Sequence, residues 1–115
     1  MRELKFRAWE GWTKDSMSML YSEKCNNLEH FFAYSERFEN LMQFTGLKDI
    51  NGFEIYEGDI MRMSDFLYEI IWTDELGVAG FDIKRLNGLE NIFIPYVIFM
   101  QGFVIGNIYE NPELT

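Results

Sequence analysis

At 115 residues with a net charge of −9, the chain has room for one domain, or for one small barrel carrying an N-terminal layer. Its hydrophobic content of 48% can fill a core without metal or disulfide staples, and a single cysteine, Cys25, excludes an internal disulfide or a cysteine metal cage. Residues 1–48 balance seven Lys/Arg against seven Asp/Glu, whereas residues 49–115 set three against twelve. That second half repels phosphates, so direct nucleic-acid binding is not expected there.

The start, MRELKFRAWEGW, carries charges where a signal peptide needs an apolar run. The longest apolar stretch, IFIPYVIFM at 92–100, is nine residues broken by Pro95, and a membrane-spanning helix needs about 20. A soluble protein of the reducing cytoplasm, with no membrane partner, is the expectation. An aromatic content of 17% exceeds what a small core can centre, so some rings are expected at a partner or self-association interface.

Leu4, Phe6 and Ala8 alternate with Lys5, Arg7 and Trp9, which predicts a strand. Trp12, Met17, Met19 and Leu20 follow without a clean period and fit the second strand of a hairpin. Residues 27–44, NLEHFFAYSERFENLMQF, carry two signals. Leu28, Phe31 and Phe32, then Phe38, Leu41 and Met42, recur at helical spacing, yet 31–34 and 41–44 also suit short strands. Asn51-Gly52 and Asn87-Gly88 separate apolar runs, and both residue types tolerate the positive φ of tight hairpin turns.

Five short apolar runs follow, at 59–63, 66–72, 77–85, 91–100 and 103–109. Phe66, Tyr68, Ile70 and Trp72 share one face, with Leu67, Glu69 and Ile71 on the other. Ala79, Phe81 and Ile83 likewise oppose Val78, Asp82 and Lys84. Pro95 marks an edge or a bulge in its run. Five closely spaced strands predict a small closed barrel.

Residues with chemical potential fall mostly to structural roles. Cys25 and His30, five apart, could pair only if the fold brought them together, and a surface histidine beside a part-buried cysteine is the expected state. DINGFE, 49–54, places Gly52 two residues too early for a calcium loop, so Asp49 is expected to accept the turn's own N–H groups. Glu57 and Asp59 flank Gly58, and at i and i+2 in a strand both should point outward into solvent. Tyr56 and Trp72 could stack on a ligand but more often belong to a core. No catalytic, cofactor-binding or metal-ligating residue is expected. The expected partner surface comprises Asp65, Glu69, Trp72, Asp74 and Glu75.

Three blocks carry a family resemblance: KFRAW (5–9), LMQFTGLKDINGFEIYEGDIM (41–61) and VIGNIYENPEL (104–114). They resemble the YopX family, small proteins encoded by phages and prophages of bacteria. The likeness spans the chain, with 10–40 and 62–103 more divergent. It implies a mainly β fold: a Src-homology-3-like five-stranded barrel over 46–115 and an N-terminal β-rich segment over 1–45, together one compact unit. It also tips 31–44 towards strand and brings no catalytic residues with it. NPEL is expected to close the chain as a helical turn, with Asn111 as N-cap and Pro112 first inside. The functional expectation is a non-enzymatic interaction module that binds a host or phage protein in the bacterial cytoplasm, with self-association also expected. Two alternatives are an acidic decoy for a basic site on a host protein and, a distant third, a small hydrolase.

Overall fold

The computed structural model describes residues 4–10, 16–24, 27–34, 40–73, 80–87 and 101–115, apart from the side chains of residues 30, 33 and 34. The fold is mainly β, with two four-stranded sheets. It divides into two units, residues 1–44 and 45–115.

In the first unit β1 (Phe6–Glu10) and β2 (Ser18–Tyr21) form the expected hairpin, with Ala8 opposite Leu20 and Trp9 opposite Met19. The other edge of β1 takes the first residues of β3 (Leu41–Lys48), setting Arg7 opposite Met42. Ala8, Phe31, Met42 and Phe44 are buried. The Ser22 hydroxyl accepts the Phe6 N–H at 3.0 Å, and Asn40 Nδ2 donates to the Trp9 carbonyl at 2.8 Å.

The strand expectation for 31–44 holds from Leu41 onward and is overturned before it: Leu28–Tyr34 is helix α1. The Phe31 N–H closes the first turn onto the Asn27 carbonyl at 3.1 Å. Phe31 is fully buried, and Phe32 packs on both Phe31 and Phe6, at 5.3 and 5.5 Å between ring centroids. Neighbouring residues of a strand point to opposite faces, whereas on a helix they lie about 100° apart, so two adjacent rings can share one side. Cys25 and residues 35–39 lie outside the described residues, as does the His30 side chain.

In the second unit β4 (Glu54–Tyr56) flanks β3. The other sheet has the order β7-β6-β5-β8, formed by β5 (Asp59–Met63), β6 (Phe66–Thr73), β7 (Gly80–Arg85) and β8 (Phe103–Asn107). Four of the five predicted runs thus hold a strand; run 91–100, with Pro95, residues 77–79 of the third run and the Gly88 side of the Asn87-Gly88 turn lie outside the described residues. The predicted alternation places Tyr68, Ile70 and Ile83 in a core with Ile55 and Met61, against which Met63, Phe66, Phe81 and Val104 pack. A register shift between Ile60 and Met61 bends β5 against β8.

Asp59 departs from its expected outward position. It is buried, and its Oδ2 accepts the Tyr56 N–H at 2.7 Å across the Glu57-Gly58 turn, while Glu57 is half-buried. The turn reverses the chain between β4 and β5, so the strand alternation assumed for these residues does not run through it. Gly58 takes φ +89°, the unusual backbone angle expected at the entry to the second sheet.

The tail forms a 3-10 turn, Pro112–Leu114, with Pro112 at its start. Asn111 does not cap it through its side chain. Instead Asn111 Oδ1 accepts the Asn107 N–H at 3.2 Å. Asn107, itself buried, accepts the N–H groups of Tyr109 and Glu110 at 3.0 and 2.9 Å. Gly106 makes this approach possible, because a Cβ there would lie 2.7 Å from Asn111 Cγ.

Candidate interaction surface

The hairpin joining β3 to β4 combines a restrained backbone with exposed apolar side chains. Its turn runs through Ile50, Asn51 and Gly52. The Gly52 N–H donates to the Asp49 carbonyl at 3.0 Å, and the Asp49 N–H to the Phe53 carbonyl at 2.8 Å. Gly52 has φ +86°, whereas Asn51 does not take positive φ. The hairpin predicted from Asn51-Gly52 is therefore present, but as a three-residue loop ending in a left-handed glycine rather than as a two-residue turn centred on the pair.

Asp49 holds this loop as expected, and also does more. Its buried carboxylate accepts the Asn51 and Phe53 N–H groups on Oδ1, each at 2.9 Å. Oδ2 accepts the Val104 N–H of β8 at 2.8 Å, and the Ile50 N–H reaches the Gly102 carbonyl at 3.4 Å. One carboxylate thus fixes the turn and ties it to a strand 55 residues away in sequence. At the base of the hairpin, Gly46 takes φ +90°, and the Thr45 hydroxyl bridges the irregularity by accepting the Leu47 N–H and donating to the Ile55 carbonyl.

On this frame Leu47, Ile50 and Phe53 are 47%, 63% and 65% exposed. Sequence reasoning missed them as surface residues. The available signal was two large apolar residues, Ile50 and Phe53, inside a turn whose typical occupants are Gly, Asn, Asp, Pro and Ser.

The partner surface read from the sequence does not converge among the described residues. Asp65 sits in the β5–β6 turn and Trp72 near the far end of β6, about 23 Å away at strand rise. Glu69 faces the side of β6 opposite Trp72, and Asp74 and Glu75 lie outside the described residues. Trp72, 46% exposed, packs edge-on against Phe81 with ring centroids 4.9 Å apart. Asp65 is 3.9 Å from Arg62, an exposed pair. The Asp82 carboxylate accepts the N–H of neighbouring Ile83 at 2.7 Å.

Other titratable groups speak for packing. Burial raises the Tyr109 phenol above its ordinary value, and the charges of Glu57 and Glu69 raise it further. Burial also raises Tyr68, partly offset by Arg85, whose guanidinium stacks 4.0 Å from the Phe66 ring centroid. No group of three or more His, Cys, Asp or Glu side chains among the described residues is placed to hold a metal ion.

A comparison with curated proteins returns no match. Among solved structures, the chain is similar to the crystal structure of protein EF1440 from Enterococcus faecalis, at 25% identity and a TM-score of 0.55, with 99% of each chain covered. The family model described as YopX protein matches residues 13–115, beginning after the KFRAW block and taking in the central block, which holds the hairpin, and the C-terminal one. With nearly its whole length inside that match, the chain belongs to the YopX family.

Proposed function

We propose that this chain is a non-enzymatic protein-interaction module of the bacterial cytoplasm, built on a small Src-homology-3-like barrel and engaging a host or phage protein through the β3–β4 hairpin. The observation that carries this reading is the exposure of Leu47, Ile50 and Phe53 on a loop whose backbone is clamped by Asp49. A clamped loop loses little conformational entropy on docking, so most of its apolar burial is available as affinity. Burying what remains exposed of side chains of this size contributes roughly 1–2 kcal/mol each, and the most exposed two, Ile50 and Phe53, lie at the tip.

The decoy alternative needs a continuous acidic face, whereas Asp49 and Asp59 are buried in backbone hydrogen bonds and the exposed Asp65 and Glu110 lie beyond opposite ends of β5. The interaction reading is tested with a photo-crosslinking phenylalanine analogue at position 53, and at exposed Arg62 as the control site. A discrete stoichiometric adduct in host lysate is expected from position 53 alone, and Ile50→Asp should abolish it. Equal, diffuse labelling from both positions would overturn the hairpin as the docking element.

A further inference from the structure

The chain holds two asparagines followed by glycine, Asn51 and Asn87. This dipeptide is chemically special because the glycine amide nitrogen, with no side chain beside it, can attack the asparagine side-chain carbonyl. Attack forms a bond from the glycine N to Cγ and breaks the Cγ–Nδ2 bond. The glycine amide proton leaves with Nδ2 as ammonia, and the product is a five-membered succinimide. Water then opens the ring at either carbonyl, giving aspartate or, with the backbone rerouted through Cβ, isoaspartate.

The fold treats the two sites differently. The Asn87 side chain is held across the sheet: Oδ1 accepts the Leu67 N–H at 2.8 Å and Nδ2 donates to the Asp65 carbonyl at 2.9 Å. To react, it must give up both bonds. Asn51 is exposed, and its side chain makes no hydrogen bond among the described residues. A Cβ built on Gly52 meets nothing within 4 Å, so the space around the attacking nitrogen is open. What restrains the reaction at Asn51 is the backbone alone: the Gly52 N–H on the Asp49 carbonyl, and the Asn51 N–H on Asp49 Oδ1.

We infer that Asn51 is a self-modification site, converting through a succinimide with Gly52 to aspartate and isoaspartate whenever the Asp49 clamp opens, while Asn87 stays protected. The product adds a negative charge to the apolar tip between Ile50 and Phe53. Isoaspartate also inserts a methylene into a turn whose register is pinned by the Asn51 and Phe53 N–H groups on one carboxylate oxygen.

The test incubates the full chain in mildly alkaline buffer, folded and in urea, and follows both sites by peptide mass mapping, with isoaspartate scored by methyltransferase labelling. Folded protein should convert Asn51 at least several-fold faster than Asn87, and urea should bring the two rates together. Asp49→Ala, shown by circular dichroism to remain folded, should accelerate Asn51 and leave Asn87 unchanged. Equal rates in the folded chain, faster conversion of Asn87, or an inert Asn51 where the urea-treated chain converts would each overturn the inference. These outcomes are independent of whether the hairpin docks a partner.

Discussion

Tyr68 carries its hydroxyl into the core of the second unit, where that oxygen is buried and has no hydrogen-bond partner among the described residues. An unsatisfied buried hydroxyl costs about 1–3 kcal/mol of desolvation, so Tyr68→Phe should raise stability by about 1 kcal/mol, read as a higher urea midpoint with an unchanged slope. The same substitution alters the alkaline limb. Burial raises the Tyr68 phenol above its ordinary 10.0, so above that pH the unfolded chain loses a proton that the folded chain keeps. Stability is therefore flat in this term below pH 10.0 and declines as pH climbs past it; Tyr68→Phe should make the decline shallower. Tyr109, raised by burial and by Glu57 and Glu69, keeps its share of the slope in that variant. Ser64, in the β5–β6 turn, is the one non-glycine residue at positive φ among the described residues, at 56°. The left-handed conformation costs an L-residue about 1–2 kcal/mol, and glycine's extra unfolded-state entropy returns about 0.5–1 of the relief. Ser64→Gly should accordingly gain about 0.5 kcal/mol by thermal or urea unfolding; a loss would show that the serine side chain stabilises the turn.

The strands that alternate cleanly were legible in the sequence, and β5 matches its predicted run end to end. Hairpin β1–β2 and the buried face of Tyr68, Ile70 and Ile83 were legible for the same reason, because period two leaves one face to bury. Helix α1 was half legible: Leu28, Phe31 and Phe32 stand at helical spacing, but seven residues hold too few turns to outweigh the strand that the family resemblance implied. The positions of the β3–β4 and β4–β5 turns were readable from Gly52 and Gly58, but the hydrogen bonds that set their form were not. Asp49 reaches Val104 and Asp59 reaches back to Tyr56, and no local pattern distinguishes such carboxylates from solvated ones. The exposure of Ile50 and Phe53 was hidden likewise, because an apolar residue beside a turn reads as core until the sheet it would join is known. Asp49 is the residue on which the hairpin depends. Asp49→Ala removes the acceptor of three N–H groups and should lower stability by about 3 kcal/mol, whereas Asp49→Asn keeps one oxygen for the turn and should lose less than half of that. Hydrogen exchange at the Asn51, Phe53 and Val104 amides checks the cause: all three should quicken in the alanine variant, and Val104 most selectively in the asparagine variant.

Charge acts on the molecule as a whole, and here two electrostatic effects oppose each other as salt is added. Ion pairs such as Lys5–Glu23 at 3.6 Å and Arg62–Asp65 at 3.9 Å lose their attraction on screening. Exposed pairs contribute about 0–1 kcal/mol, and Arg62–Asp65, with 94% of the Asp65 side chain exposed, belongs at the low end, while Lys5–Glu23 is part-buried and screened less. Against them stands the excess over residues 49–115, twelve acidic groups facing three basic ones. That excess repels itself in the compact state more than in the expanded chain, and screening relieves the repulsion. The imbalance of nine charges outweighs a few exposed contacts, so moderate sodium chloride should stabilise the chain. The urea midpoint should rise from low to moderate salt, and rise less in a variant with Glu110 and Glu113, both exposed at the C-terminal turn, changed to glutamine. A midpoint that falls with salt would mean that local pairing, and not the summed charge of the second half, governs the electrostatics of the fold.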